Sequence, residues 1–269
     1  MNTTVIIVSY ESEHLIEQNI KSYDEDTKII VIENSQNLSL KNKIERKYKN
    51  VEIILNKNYG FGQAANLGAK LTKTKNILFC SPDNFVEKDS IKKLEKLSEK
   101  FNDKFSIFIL SDENDCPVNV EKIKKTRGML CFFIEKEIFL KLSGFDEKFF
   151  LYYEDADFLR RALKKKINIY QVPIKYSNKL GSHDKKFNHP VEVNRNWHLM
   201  WSKFYYKRKY YGYIYSFIST LPYLIRSLIR LMIYSKNPIQ KEIYLARISG
   251  LYNSYILKEP WYRPKIDQK

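Results

Sequence analysis

Short segments rich in Ile, Val and Phe alternate with amphipathic helical segments along the first part of the chain. The predicted strands are residues 4–9, 28–33, 51–56 and 76–80. The predicted helices follow them at residues 13–23, 40–48, 61–72 and 88–101. Parallel strands need crossover connections of about a dozen residues or more, and helices of this kind supply them. The alternation therefore predicts an α/β fold with a Rossmann-like sheet flanked by helices.

This regular alternation loosens after residue 105. Candidate strands follow at residues 105–110, 129–134 and 169–173, with a helix at 155–166, so the helices no longer match the strands one to one. We expect these strands to complete the same sheet in a mixed or antiparallel arrangement.

The residues after about 190 differ in composition from the rest. Residues 201–269 contain 13 Lys or Arg and 3 Asp or Glu, which is +10 of the net charge of +16. Trp and Tyr are interleaved with these cations, and prolines punctuate the helical segments. The sequence therefore predicts two domains, an α/β domain at 1–189 and a basic, aromatic-rich helical extension at 190–269.

The composition of this extension is typical of a membrane interface, where Trp and Tyr are enriched and each nearby Lys or Arg adds about 1 kcal/mol on anionic lipid. Residues 210–225, the longest uncharged stretch, are broken by Gly212 and Pro222 and fall short of the about 20 residues that a spanning helix needs. We therefore expect peripheral contact. A homo-oligomer interface would show the same apolar spacing, and a basic aromatic surface also suits single-stranded nucleic acid, although no nucleic-acid fold signature is present.

The remaining composition points to a folded protein of a reducing compartment. The chain is 43% hydrophobic and 14% aromatic, which excludes disorder. Cys80, Cys116 and Cys131 are widely spaced and form no CxxC pair, which argues against a disulfide framework or a structural zinc site. The N-terminal apolar run lacks basic residues before it and predicts a strand rather than a signal peptide. A cytoplasmic protein is expected.

Polar residues collect directly after the predicted parallel strands, where α/β folds bind ligands. The residues concerned are Ser9, Glu11, Glu33, Asn58, Gly60 and Asp83. They predict a nucleotide site, although the same residue types also form turns and helix caps. Gly60, Gly62 and Ala65 also fit G-x-G-x-x-A, with Asp83 about 20 residues further on, so a dinucleotide-binding oxidoreductase is an alternative. Its position after the third strand rather than the first opposes that alternative.

A second cluster of chemical interest follows an aromatic run at residues 149–153. Glu154, Asp155 and Asp157 occupy the first turn of a predicted helix. Carboxylates at a helix N-terminus stabilise the helix by about 0.3–1 kcal/mol, which is sufficient reason for their presence. A carboxylate held beside aromatic walls can also act as a general base.

Six blocks occur in order between residues 4 and 185, namely VIIVSYES, IENSQN, NYGFGQAANLGA, SPDN, GFDEKFFLYYEDADFLRRA and a later His183. This ordered set resembles the family 2 glycosyltransferases, particularly their rhamnosyltransferase-like branch. The resemblance implies a GT-A (nucleotide-diphospho-sugar transferase) fold, a nucleotide-sugar donor, a glycan acceptor, Mg²⁺ or Mn²⁺, and inversion at the anomeric carbon. A metal is needed there because departure of a nucleoside diphosphate builds negative charge on phosphate oxygens.

The resemblance also assigns roles to residues of this chain. The donor side would be formed by Ser9, Glu11, Glu33, Asn58, Gly60, Asp83 and Arg127. Asp83 and His183 would hold the metal. Asp155 would take the proton from the acceptor, with Glu154 and Asp157 orienting it or the acceptor. The chain departs from the family pattern where Ser81 replaces the usual Asn of Asn-Pro-Asp and Glu33 replaces the usual Asp.

The branch implies rhamnose from a dTDP donor as the transferred sugar. A lipid-linked or lipopolysaccharide glycan is the expected acceptor, since the basic extension would hold the enzyme at the inner face of the cell membrane. A non-catalytic nucleic-acid or membrane-binding protein that retains the fold is the remaining alternative, opposed by the presence of Asp83, Glu154, Asp155 and His183.

Overall fold

The computed structural model describes residues 2–101, 105–124, 129, 131–178 and 188–260, excluding the side chain at 188. The chain divides into two compact units. The sheet unit comprises Met1–Asp146 and Asp155–Asp184, and the helical unit comprises Glu147–Glu154 and Lys185–Lys269. Arg127 and His183 lie outside the described residues.

The secondary structure of the described residues follows the predicted alternation. The strands are β1 (Thr3–Ser9), β2 (Lys28–Glu33), β3 (Val51–Leu55), β4 (Asn76–Cys80), β5 (Asn84–Val86), β6 (Ser106–Asp112), β7 (Glu121–Lys122), β8 (Phe132–Glu135) and β9 (Asn168–Asn178). The helices are α1 (Glu13–Ile20), α2 (Leu38–Lys47), α3 (Phe61–Leu71), α4 (Ser90–Lys100), α5 (Lys136–Lys141), α6 (Glu154–Lys164), α7 (Asn188–Tyr211), α8 (Tyr213–Ile233) and α9 (Pro238–Tyr255).

Within the described residues the strands form one mixed sheet in the order β3-β2-β1-β4-β8-β6-β9-β5, with β7 paired to β9. Strands β1 to β4 are mutually parallel where they pair, so their carboxyl ends share one edge. Strand β8 runs antiparallel to both β4 and β6. The predicted α/β fold with a mixed sheet flanked by helices is confirmed. Three short elements, β5, β7 and α5, were not predicted.

Close packing between helix α3 and strand β1 fixes the position of the α3 N-terminus at this edge. Val5, Ile6 and Ile7 are fully buried, and Gly68 lies directly against Ile6. A Cβ atom at Gly68 would stand 2.6 Å from Cγ2 of Ile6, so a larger residue would push the helix away from the sheet.

The helical unit is built on the contact between α7 and α9. A Cβ at Gly250 would stand 2.3 Å from the carbonyl oxygen of Trp197, so the two helices approach at backbone distance there. The loop before α6 packs into this unit, where Phe149 lies against Tyr205 and Phe150 lies against His198. Both phenylalanines are buried. Their rings form part of the core of this unit and are not exposed for contact with a sugar.

Helix α8 has small polar residues on its buried side and large apolar residues on its exposed side. Ser216, Thr220 and Ser227 are buried, and their hydroxyls bond to carbonyls of the preceding turn. The exposed residues include Ile214, Ile218, Ile225, Ile229 and Met232. By length and composition α8 could cross a membrane, whereas from the sequence residues 210–225 were expected to be too short and too interrupted to do so. Only 17% of its most apolar stretch of 18 residues is buried in the protein.

Candidate active site

The loops after β1, β2 and β3 are joined by direct hydrogen bonds at the carboxyl edge of the sheet. The amide of Glu11 donates to Oγ of Ser35 at 2.7 Å, and Nδ2 of Asn56 donates to Oδ1 of Asn34 at 2.9 Å. The amide of Asn34 donates to the carbonyl of Ser9 at 2.8 Å. The structure therefore brings these three predicted loops together as one polar surface.

Ser9 and Glu33 form the buried base of this surface. They are register partners on β1 and β2, and are 0% and 1% exposed respectively. Oε1 of Glu33 accepts a hydrogen bond from the amide of Ser35 at 2.7 Å. Burial raises the pKa of Glu33, and the hydrogen bond from Ser35 opposes part of that rise. The accessible groups at this position belong to the Ser35 loop that Glu33 holds.

Asn58 and Gly60 shape the entry into α3. Oδ1 of Asn58 accepts a hydrogen bond from the amide of Gly60 at 3.2 Å. Gly60 has φ of 103° at the N-cap of the helix, a backbone conformation that favours glycine. This turn leaves the helix N-terminus facing the polar edge, where backbone amides suit an anionic group.

Asp83 lies in the turn between β4 and β5, at the same edge of the sheet. The turn is held from α1 by the buried Asn19, whose Nδ2 donates to the carbonyls of Pro82 at 3.1 Å and Asn84 at 2.8 Å. The Asp83 side chain is half-buried. Asn19 was not predicted as a site residue, because nothing local to α1 indicates a contact 63 residues away.

The donor atoms around Asp83 fit a metal only in part. Among residues that the structure describes, no group of three or more His, Cys, Asp or Glu could hold a metal ion. Asp83 alone supplies one hard carboxylate, the ligand type that Mg²⁺ prefers when it is otherwise bound by phosphate oxygens and water. The set fits a metal carried by a diphosphate and does not fit an independent metal site.

Asp155 lies at the same edge, held by two backbone amides. Its Oδ2 accepts from the amide of Met129 at 3.0 Å, and its Oδ1 accepts from the amide of Ala156 at 2.7 Å. Phe132 pairs with Phe79 of the antiparallel neighbour β4, so the chain before β8 emerges where β4 ends. Met129 therefore holds Asp155 at the end of the sheet that also carries Asp83.

The electrostatic environment makes Asp155 a stronger base than an ordinary aspartate. Burial raises its pKa above the usual value of 3.8, and the hydrogen bonds from Met129 and Ala156 offset part of that shift. Glu154, the adjacent residue, is also buried and belongs to the helical unit.

Asp157 differs from its neighbours because it is engaged with a cation. It is fully buried, and its Oδ2 lies 2.8 Å from Nε of Arg161. Arg161 in turn donates to the carbonyls of Leu142 and Gly144. This network fixes the turn that leads into Phe145, so Asp157 holds the backbone before the aromatic run.

The same turn is held from the opposite side by Asn66 of α3, another residue that was not predicted. Its Oδ1 accepts from the amide of Phe145 at 2.8 Å, and its Nδ2 donates to the carbonyl of Phe145 at 2.9 Å. Gly144 has φ of 58°, and a Cβ there would stand 2.4 Å from Oδ1 of Asn66. Asn66 thus connects the glycine-containing block of α3 with the block that precedes the carboxylates.

Asp157→Asn is expected to lower the free energy of unfolding by about 2 kcal/mol, because the charge-assisted hydrogen bond to Arg161 would be lost. Urea denaturation monitored by circular dichroism measures the change. Glu137→Gln is the matched control, since that carboxylate is exposed and its distance to Lys141 is 3.9 Å. Equal stabilities for the Asp157 variant and the control would show that the buried pair contributes nothing.

Comparison with known sequences establishes the family of the chain. The sequence model of glycosyl transferase family 2 matches residues 4–165, well over half of the chain. The chain belongs to this family and is a glycosyltransferase. Membership implies a nucleotide-sugar donor and a glycan acceptor. Membership of this family excludes the alternative of a dinucleotide-binding oxidoreductase.

Two curated relatives are rhamnosyltransferases. The chain is 27% identical over 206 residues to the dTDP-rhamnosyl transferase RfbF of Shigella flexneri, covering 67% of this chain and 70% of that protein. It is 25% identical over 224 residues to the rhamnosyltransferase WbbL of Escherichia coli (strain K12), covering 68% and 84%. The resemblance to the rhamnosyltransferase-like branch is confirmed.

A solved structure supports the fold assignment. The mannosyltransferase PcManGT from Pyrobaculum calidifontis, in complex with GDP-Man and Mn²⁺, superposes with a TM-score of 0.58 at 12% sequence identity. The match covers 94% of this chain and 86% of that one. At this identity the likeness supports the GT-A fold alone.

Proposed function

We propose that this glycosyltransferase moves a sugar from a nucleoside diphosphate donor to a hydroxyl group of a glycan acceptor, with inversion at the anomeric carbon. The observation that carries the proposal is the placement of Asp155 and Asp83 at one edge of the sheet. In this arrangement Asp155 would accept a proton, while Asp83 would face the diphosphate.

In this proposal the donor nucleotide lies along the polar surface formed by the loops after β1, β2 and β3. Glu11 and Asn58 are half-exposed and are the candidates for direct contact with the nucleotide. Ser9 and Glu33 are buried beneath the Ser35 loop and hold it in place. Rhamnose from a dTDP donor is the proposed sugar, supported by the names of the two relatives. Roles for Arg127 and His183 remain those implied by the family resemblance.

Asp83 would bind a divalent metal together with the donor diphosphate. When bound, Mg²⁺ or Mn²⁺ supplies charge neutralisation for the departing nucleoside diphosphate. Manganese in the PcManGT complex supports this choice of cofactor. Asn19 would position Asp83 through the carbonyls that it binds on either side.

Asp155 would take the proton of the acceptor hydroxyl as its oxygen attacks the anomeric carbon. The oxygen–carbon bond forms on the face opposite the diphosphate, and the bond from the anomeric carbon to the diphosphate oxygen breaks. A single displacement inverts the anomeric configuration and needs no enzyme nucleophile. The amides of Met129 and Ala156 orient the carboxylate, and its raised pKa favours proton acceptance.

We also propose that the helical unit attaches the enzyme to the inner face of the cell membrane, in the cytoplasm, where a lipid-linked glycan would be the acceptor. The exposed apolar side of α8 and the excess of cations in the same unit support this attachment. Homo-oligomerisation through α8 is the competing use of that face.

Incubation of the purified protein with a panel of nucleotide-sugars tests the transfer reaction. Release of nucleoside diphosphate should be fastest with dTDP-rhamnose, should depend on Mn²⁺ or Mg²⁺, and should give a product of opposite anomeric configuration by NMR. Retention of configuration would contradict the single displacement.

Replacing Ile214 and Ile218 together by Glu should weaken partition onto anionic phosphatidylglycerol vesicles by at least about tenfold, because burial of each isoleucine is worth about 1.5–3 kcal/mol. Both side chains are exposed at 76% and 63%, so the fold should tolerate the change. Vesicle sedimentation measures the partition, and Glu52→Gln on the sheet unit serves as a surface control. Unchanged partition together with a shift from dimer to monomer would favour the oligomer interface.

A further inference from the structure

Five cations of the helical unit lie on neighbouring faces of its three long helices. Helix α7 carries Lys203 and Lys207, α8 carries Arg226 and Arg230, and α9 carries Arg247. The pairs on α7 and α8 are each four residues apart and therefore share one face of their helix. We call these five residues the basic cluster.

Three contacts between helices draw the basic cluster together. Nζ of Lys203 lies 3.6 Å from the ring centre of Tyr223, which joins α7 to α8. Nη1 of Arg230 donates to the hydroxyl of Tyr244 at 2.9 Å, which joins α8 to α9. Nη1 of Arg247 donates to Oδ1 of Asn196 at 2.9 Å, which joins α9 back to α7. Every partner is neutral, so these contacts bring the positive charges together without cancelling them.

No carboxylate among the described residues forms an ion pair with any member of the basic cluster. Glu192 acts on Arg247 at longer range, and its Oε1 accepts a hydrogen bond from Asn196 at 2.7 Å. The Nε atom of Arg247 is buried and has no hydrogen-bond acceptor within the described part of the chain. Buried N–H donors normally have an acceptor, so the Nε atom of Arg247 is a donor that an anionic group from outside the protein can use.

The cations also perturb one another. Burial, followed by repulsion from Arg247 and Lys207, lowers the pKa of Lys203 to about 8. Burial together with repulsion from Arg230 and Arg226 lowers the pKa of Arg247. Cations whose pKa values are lowered by burial and by one another occur more often at functional sites than elsewhere on a protein.

We propose that the basic cluster binds a phosphate group, either a phosphomonoester or a diphosphate. Two lysines and three arginines offer many N–H donors and several positive charges, and a phosphate dianion accepts more hydrogen bonds and carries twice the charge of a carboxylate. The phosphate could be carried by a lipid or be free in solution. The inference is independent of the proposed transfer reaction, because no member of the basic cluster has a role in that reaction.

The test compares the full-length double variant Lys203→Gln/Arg247→Gln with Lys236→Gln/Lys241→Gln. Both double variants lose two positive charges from the helical unit, but Lys236 and Lys241 are exposed and outside the basic cluster. Calorimetry with pyrophosphate should give a dissociation constant at least about tenfold higher for the first variant, since each charge-assisted hydrogen bond is worth about a factor of ten or more. The control should stay within about twofold of the wild-type protein.

Vesicles distinguish the sources of the phosphate. Phosphatidylcholine vesicles are doped either with phosphatidic acid, which carries a phosphomonoester, or with oleate, which carries the same sign of charge without it. Preference for phosphatidic acid that is lost in Lys203→Gln/Arg247→Gln indicates a lipid-borne group. Tight pyrophosphate binding without that preference indicates a free phosphate compound. Either result supports the site.

Three outcomes would overturn the proposal. One is pyrophosphate binding that falls equally in the two double variants, which would mean diffuse attraction by net charge. Another is the absence of pyrophosphate binding by the wild-type protein. The third is tighter binding of a single-stranded oligonucleotide than of either phosphate probe, which would assign the surface to nucleic acid. Lys203→Arg keeps the charge and should retain binding, which separates loss of the site from loss of the fold.

Discussion

Asp155→Asn is expected to lower the turnover number by about 10²- to 10⁴-fold while leaving donor binding nearly unchanged. The substitution keeps the shape of the side chain and removes its ability to accept a proton, and general-base assistance typically contributes a factor of that size. Steady-state kinetics with dTDP-rhamnose measures turnover, and calorimetry with dTDP and Mn²⁺ measures nucleotide binding. Glu154→Gln, in the neighbouring carboxylate, should have the smaller effect.

The pH dependence provides a second measurement of the same role. Burial raises the pKa of Asp155 above 3.8, and the base works only when deprotonated. Turnover of the wild-type enzyme should therefore fall as the pH is lowered through that raised pKa, and the residual turnover of Asp155→Asn should lose this acid limb. A large loss in Glu154→Gln with near-normal turnover in Asp155→Asn would move the base to Glu154.

The second large effect is expected at the turn between β4 and β5. Asp83→Ala should weaken Mn²⁺-dependent nucleotide binding at least about 100-fold. Removing a residue that only supports a metal ligand costs up to about 100-fold in affinity, and removing a ligand itself should cost at least as much. The side chain is half-buried in a turn that Asn19 holds through backbone carbonyls, so the fold should persist. Calorimetry with dTDP in the presence and absence of Mn²⁺ measures the effect.

Glu87→Gln is the control for that experiment, because it removes an exposed carboxylate a few residues further along the chain. It should bind nucleotide and Mn²⁺ as the wild-type protein does. Unchanged metal-dependent affinity in Asp83→Ala would show that the metal is held by other groups, and the assignment of Asp83 would then fail.

The features that could be predicted from sequence are those that depend on local periodicity. The strands β1 to β4 are short apolar runs, and a helix directly follows each of the first three. Their ends are marked by polar residues such as Ser9 and Asp83. Long strand β9 was predicted only over 169–173, because a proline usually interrupts a strand, although Ile174 and Tyr176 beyond Pro173 keep the alternation of buried and exposed residues that a strand shows. Strand β5 has only three residues and exists because it pairs with β9.

The site residues that escaped prediction act through contacts between distant parts of the chain. Asn19 and Asn66 look like ordinary polar residues of helices, and only the fold places their amides against backbone that is 63 and 79 residues away. The role of the aromatic run before Glu154 was ambiguous for the same reason. The sequence does not distinguish an aromatic ring that contacts a ligand from one that packs against α7. For Asp157, the sequence shows Arg161 four residues later as a candidate partner, but it does not show that Asp157 is buried.

The way in which Asn19 holds the Asp83 turn has a consequence for the order of binding. Because the carbonyls of Pro82 and Asn84 are engaged by the amide of Asn19, the turn offers a divalent ion its carboxylate and little else. On the proposed assignment the free enzyme would have low affinity for Mn²⁺ or Mg²⁺, and the ion would be retained only when the donor contributes its own phosphate oxygens. Donor occupancy, rather than the cellular concentration of free metal, would then determine when the site holds a metal ion.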